Sequence, residues 1–206
     1  MGTLGLTAVA LTAEAFAPYG EVIETHGRPF RRINEDTCRR FDDLARIDVL
    51  QDGGRPLLSI FESVPRRLPL AVRSLERHPL SSQAFVPLDG RRFLVVVAGD
   101  GPDVAAGIRA FLSSGGQGVN FRRNTWHHAL IALDQTSRFL VIARGAPGDN
   151  CEEIPIEGVE VHLGAEVQAD AEVQAGAEVQ AGAEMQAGAE VQAGATAVHG
   201  HGTTSE

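Results

Sequence analysis

Lysine is missing from the whole chain of 206 residues, and all 18 basic side chains are arginines. That absence excludes Schiff-base catalysis and a phosphate-loop lysine. Cysteine is scarce as well, with Cys38 and Cys151 far apart. The chain has no apolar run of bilayer length and no basic leader segment, so both read as free thiols of a cytoplasmic protein without membrane attachment. Cys151 is the better candidate for a reactive thiol, but Glu152 and Glu153 follow it. Neighbouring carboxylates raise a thiol pKa, which argues against a nucleophile there. A basic surplus is lacking too. The formal charge is -9, and seven of the 27 acidic residues fall within residues 164–206, which carry no arginine. Twenty carboxylates thus face 18 arginines in the rest, a balance without the basic face that nucleic-acid binding requires.

The composition changes near residue 164. Residues 1–163 read as one globular domain, and residues 164–206 as a low-complexity tail. From Gly164 to Ala195 the tail repeats Gly-Ala-Glu-Val-Gln-Ala, with Val167, Val173, Val179, Met185 and Val191 at fixed spacing. A period of six spreads these side chains around a helix, and nothing bulky accompanies them, so disorder is expected. His199 and His201 read as solvated tail residues.

Within the domain, Thr12–Pro18 reads as a capped short helix stopped by proline, turning at Tyr19-Gly20 into a strand over Glu21–Glu24. Short apolar strands then follow at Leu57–Phe61, Ala84–Leu88, Phe93–Ala98, His128–Leu133 and Arg138–Ala143. Such strands in quick succession predict an antiparallel sandwich or barrel. Leu68–Glu76 and Pro102–Leu112 fit either a helix or a strand.

Two segments carry chemistry. Gly118–His128 brings together the only tryptophan, Trp126, with Arg122, Arg123, His127 and His128 just ahead of an apolar run. Imidazole and guanidinium this close suggest a site for a small anion. Leu75–Leu88 likewise sets Glu76, His78 and Gln83 ahead of a strand. Strand alternation puts Glu76 and His78 on one face, and Arg123 with His127 if that strand is regular. His128 then faces away and reads as structural, Trp126 reads as packing, and His26 and His162 as surface residues.

Together with Ala15–Thr25, Ile33-Asn34, Phe93–Ala98 and Asp149-Asn150-Cys151, these segments resemble the ureidoglycolate lyase family over roughly residues 12 to 160. The resemblance implies a mainly β fold, a cupin-like double-stranded antiparallel β-barrel with few short helices. It favours strands in much of both ambiguous stretches. It implies cleavage of (S)-ureidoglycolate to glyoxylate and urea in allantoin breakdown, and a homodimer. The apolar run Phe93–Ala98 is then either an interface or internal packing. The resemblance also implies a divalent metal, nickel in particular, and no organic cofactor. In the first cupin motif Glu76, His78, Gln83 and Gly90 occupy the expected spacing; in the second, Gly116, Arg122, Asn124, His127 and Ile131 do so.

That carry-over gathers Glu76, His78, Gln83 and His127 around one cavity. Two imidazoles, a carboxylate and an amide make a divalent-metal set in which Gln83 is the weak member. The competing reading is a metal-free pocket where Glu76 and His78 do acid-base work. The reaction needs a base for the substrate hydroxyl, an acid for the leaving nitrogen and a cation for the carboxylate. His78 or His127 suits the base, Glu76 the acid or the orienter of a histidine, and Arg123 a bidentate carboxylate contact. Gln83, Asn34 and Arg144 are further candidates for substrate binding. One departure stands out: Phe61-Glu62-Ser63 lies where these lyases often carry a basic residue. It keeps two alternatives open, a ureido-acid amidohydrolase and a non-catalytic sensor of a small carboxylate.

Overall fold

The computed structural model describes residues 3–164; the repeat tail and its expected disorder lie outside them. The described chain begins with β1 (Leu4–Ala10), a single α-helix α1 (Ala13–Phe16) and β2 (Gly20–Ile23). A hairpin of β3 (Arg31–Ile33) and β4 (Cys38–Arg40) follows, then β5 (Arg55–Ser63), β6 (Leu70–Arg77) and β7 (Gln83–Pro87). The remainder holds β8 (Phe93–Ala98), β9 (Ile108–Leu112), β10 (Gly118–Phe121), β11 (Trp126–His127), β12 (Ile131–Ala132), β13 (Ser137–Gly145) and β14 (Glu152–Leu163).

These strands form a cupin-like β-barrel. One sheet runs β11-β6-β14-β1-β9-β8-β12, and β11 pairs with β8 as well as with β6, so that six of its strands close into a ring. The second sheet, β2-β10-β7-β13-β5, is antiparallel throughout. The barrel is antiparallel except at β1, which lies parallel to both β14 and β9. Apolar side chains of β8 and β9 meet those of β2, β7, β10 and β13 in one core that includes Phe85, Phe93, Phe111, Phe121 and Phe139. Its rings pack edge to face, Phe93 against Phe139 at 5.2 Å and Phe16 against Phe111 at 5.8 Å, the arrangement that ring quadrupoles favour.

Both ambiguous stretches resolve as strands, β6 and the end of the second as β9. The helix starts as its sequence predicts: Thr12 is extended, and its hydroxyl accepts the Ala15 N–H at 3.2 Å. The strand expected over His128–Leu133 shrinks to β12, and a second short strand, β11, ends just before that stretch. β11 pairs with Val97 and Ala98 and β12 with Phe93 and Leu94, while the N–H of His128 between them reaches the Val96 carbonyl. Of the two readings of Phe93–Ala98, internal packing holds, because all six residues are buried inside the chain.

Gly20 fixes the corner that aims β10 toward β11. It pairs with Phe121, and a Cβ there would lie 1.9 Å from the Asn120 carbonyl oxygen, a backbone atom with no freedom to withdraw. The preceding Tyr19 carbonyl accepts the Arg122 N–H at 2.9 Å and the Thr125 hydroxyl at 2.8 Å. Gly20→Ala is therefore expected to lower stability in urea denaturation by about 1–3 kcal/mol, as overpacking does. Gly99→Ala, where a Cβ would meet nothing within 4 Å, should stay within about 0.5 kcal/mol of the parent.

Candidate active site

The site forms where the barrel closes. His127 stands directly opposite Glu76 in the β11–β6 pair, so their side chains share a face. His78 follows the end of β6 and Gln83 opens β7. The sequence between turns back through Pro79, with Leu80 and Ser81 both held by Asn150. Its side-chain oxygen accepts the Leu80 N–H at 2.7 Å, and its amide donates to the Ser81 hydroxyl at 2.9 Å. The N–H of Asn124 reaches the His78 carbonyl at 3.1 Å, joining the two segments.

The tautomers of both histidines follow from their backbone partners. His127 is 1% exposed, its Nδ1 donates to the Thr125 carbonyl at 2.8 Å, and its ring stacks on Phe121 at 4.2 Å between centroids. His78 donates from Nδ1 to the Asn150 carbonyl at 2.6 Å. Neutral rings so fixed turn their Nε2 lone pairs into the site. The His78 Nε2 is buried with no hydrogen-bond partner among the described residues. The His127 Nε2 faces two acceptors, Gln83 Oε1 at 3.2 Å and Glu76 Oε1 at 3.5 Å. The imidazole rings lie 5.2 Å apart, and ligand atoms of Glu76, His78 and His127 all lie within 4.8 Å of one another.

Four electron-pair donors facing one another repel unless a cation lies among them. A proton on His127 Nε2 relieves one contact only, and the His78 lone pair stays unmatched. The donor set therefore fits a divalent metal of borderline character, bound through two imidazoles, a carboxylate and an amide oxygen. When His127 is protonated its Nε2 donates to Glu76, and that bond, with the charges that both rings then carry, holds the Glu76 carboxyl below its usual pKa against the opposing effect of burial. Glu76 is thus an anion at neutral pH, a state that suits a ligand or an orienter of histidine better than an acid.

The structure brings Glu76, His78, Gln83 and His127 together. Arg123 and Arg144 meet elsewhere, at the loop over Asp48–Asp52. Arg123 pairs with Asp48 and with the Gln51 side chain, while Arg144 donates to the Gln51 and Asp52 carbonyls at 3.0 Å each. The bidentate fork expected to take a substrate carboxylate is thereby engaged within the chain. The cause is local: Asn124 has a φ of 66°, and Thr125 N–H bonds back to the Arg122 carbonyl, so this turn breaks the alternation that would set Arg123 beside His127. Asn34 sits in the exposed turn between β3 and β4, where its carbonyl accepts the Thr37 N–H and hydroxyl.

His128 and Trp126 are structural. The His128 ring bonds to its own neighbour's carbonyl, with its pKa lowered by burial, and Trp126 is buried beneath the Arg77 guanidinium at 4.5 Å. The Cys151 thiol is raised in pKa, mainly by burial and then by Glu76 and Glu153. Glu152 instead pairs with Arg77. Residues that the sequence left without a role include Asn150, Phe121, Asp48 and Gln51. Asn150 lay within a segment already singled out, but its reach to Leu80 spans 70 residues of sequence.

Residues 3–162 match the family model described as ureidoglycolate lyase. The chain is 50% identical over 157 residues to the ureidoglycolate lyase of Burkholderia cepacia, covering 76% of this chain and 89% of that one. It is 55% identical over 143 residues to the ureidoglycolate lyase of Burkholderia mallei strain NCTC 10229, with 69% and 84% covered. The ureidoglycolate lyase of Brucella anthropi is 50% identical over 143 residues, with 69% and 85% covered.

Asn150→Ala removes the two side-chain bonds that fold the His78–Ser81 turn and leaves the Leu80 N–H unpaired. The expected loss is about 1–3 kcal/mol, read as a lower denaturation midpoint with an unchanged slope.

Proposed function

This chain belongs to the ureidoglycolate lyase family, and on that premise we propose that it cleaves (S)-ureidoglycolate to glyoxylate and urea. The observation that carries the reading is the convergence of His78 Nε2, His127 Nε2 and the Glu76 and Gln83 oxygens. Those four residues would hold a divalent cation, and nickel suits mixed nitrogen and oxygen donors. When bound, such an ion acidifies a ligated hydroxyl and draws in a carboxylate.

The substrate carries a hydroxyl and a ureido nitrogen on one carbon. Loss of the hydroxyl proton turns the C–O bond into a carbonyl, the C–N bond breaks, and the departing nitrogen takes a proton to become urea. No redox change and no covalent enzyme intermediate are required. Glu76, ionised and part-buried, is the base or the group that orients His127. Thr125 and Asn150 carbonyls keep both imidazoles in the tautomer that presents Nε2. Phe121, flat against His127, keeps water from that face of the ring. Arg123 retains one buried donor, Nε, without a partner among the described residues, and this N–H is our candidate for the substrate carboxylate. Arg144 supports the same loop from behind.

We also propose a cytoplasmic setting. Both cysteines are free and exposed, as suits a reducing compartment, and among the described residues no helix is long and apolar enough to cross a membrane.

Purified protein supplied with nickel should release glyoxylate and urea in equal amounts above the spontaneous rate. Absence of both products overturns the reading, and ammonia in place of urea identifies an amidohydrolase. His78→Ala is expected to lower kcat/KM by about 100-fold or more, the scale of a lost acid-base or ligand group, with the far-UV circular dichroism retained. Chelation followed by return of the metal should abolish and then restore turnover; activity untouched by chelation favours the metal-free pocket.

A further inference from the structure

His127 has to present one nitrogen to the donor cluster, and its packing does not choose which. The ring lies flat on Phe121, with 4.2 Å between centroids and 16° between planes. A half-turn of the ring about its Cβ–Cγ bond keeps that stacking and exchanges nitrogen for carbon along both edges. In water a neutral histidine side chain prefers its proton on Nε2, and the Gln83 oxygen at 3.2 Å and the Glu76 oxygen at 3.5 Å would both accept a bond from it there. The contact that opposes both alternatives is the bond from Nδ1 to the Thr125 carbonyl at 2.8 Å. An acceptor beside Nδ1 fixes the proton on that nitrogen and leaves Nε2 its lone pair.

Where that carbonyl points depends on a short turn. Asn124, just before it, is left-handed with a φ of 66°, a conformation that few residues besides glycine and asparagine hold. Three hydrogen bonds keep Asn124 and Thr125 in place. The Asn124 N–H reaches the His78 carbonyl and the Thr125 N–H the Arg122 carbonyl, both at 3.1 Å. The third is the Thr125 hydroxyl, which donates to the Tyr19 carbonyl at 2.8 Å. It is the shortest of the three and the one made by a side chain. It also ties the turn to a firm support across 106 residues of sequence. The Tyr19 carbonyl accepts the Arg122 N–H at 2.9 Å as well, so both its lone pairs are used. The Tyr19 ring packs on Phe16 at 5.9 Å and on Phe111 at 6.0 Å.

We propose that Thr125 is a positioning residue of this site, acting through His127. Its hydroxyl, tied to Tyr19, holds the Thr125 carbonyl against Nδ1, and so a lone pair on Nε2, not a proton, faces Glu76, Gln83 and His78. A proton on Nε2 would occupy the electron pair that a cation or a substrate proton needs. The proposal rests on the reading of the cluster as the reacting centre, and it adds a side chain that touches neither substrate nor ion. Thr125→Val keeps the branched shape and loses the hydroxyl. Thr125→Ser keeps the hydroxyl and loses the methyl group.

Long-range proton–nitrogen correlation spectra of the metal-free full chain, recorded where the ring is neutral, distinguish the two tautomers. The parent should carry the His127 proton on Nδ1. Thr125→Val should move it to Nε2 and weaken nickel binding, read by competition with a chelating dye, by about 10- to 100-fold, the scale of a lost partner behind a ligand. Thr125→Ser should restore both. Thr125→Ala carries the same expectation as Thr125→Val and replaces it if that variant does not fold. None of these readouts needs turnover, so a failed product assay overturns the lyase reading alone. A parent with the proton on Nε2, a hydroxyl-free variant with the parent's tautomer and nickel affinity, or no recovery in Thr125→Ser each overturns the proposal.

Discussion

The closure of the barrel hangs on two residues. Among the described residues, Trp126 and His127 make the only strand that pairs with both β6 and β8, and without it the seven-stranded sheet would be open along that seam. An edge so exposed would leave backbone donors and acceptors of both neighbours unmet. The same two residues supply the seam with its packing: Trp126 is buried under Arg77, and His127 is sealed by Phe121. Closing the barrel and assembling the polar cluster are therefore one event, since pairing His127 with Glu76 is also what places the imidazole against the carboxylate.

What surrounds that pair explains why a buried polar cluster is tolerated. Each histidine has its Nδ1 proton taken by a backbone carbonyl, so the ring orientation is set from outside the cavity by groups that cannot titrate. The inward lone pairs then remain concentrated on a small volume, which is costly in an apolar core and favourable once a cation is shared among them. Asn150 and Asn124 do the remaining work by holding the His78 turn from two directions. Loosening the turn would therefore both lower stability and draw the His78 imidazole away from the cluster.

The loop over Asp48–Asp52 is the second element built around the site. Ser82 exchanges hydrogen bonds with Asp48 in both directions, Asn120 holds the Arg46 carbonyl, and Val49 is buried. Arg123 and Arg144 grip the loop from β10's end and from β13. Two guanidiniums that sequence spacing offered to a ligand are in this way largely committed to holding the chain. The apolar surface shows a similar exchange of roles: the bulky run Phe93–Ala98 is wholly internal, and the apolar face left in solvent belongs to β5.

The sequence alone determined the β-rich character, the capped helix at Thr12 and the family, and it singled out four residues that the structure gathers into one cluster. These signals are local, carried by short apolar runs, by Thr12 and Pro18 as helix punctuation, and by spacings within single segments. The N-terminal and C-terminal strands were not legible. β14 contains Pro155 and Gly158 and is irregular between Pro155 and Val159, so its alternation is broken, and β1 gains its place only by lying parallel to two distant strands. The fate of Arg123 was hidden for a related reason: a left-handed Asn124 reverses the face that alternation assigns, and nothing in the residue types announces it. Tertiary structure alone decided the ring closure, the tautomers fixed by Thr125 and Asn150, and the exposed edge of β5. Each depends on groups brought together across tens of residues, and hydrogen-bond partners at that separation leave no periodicity in the chain.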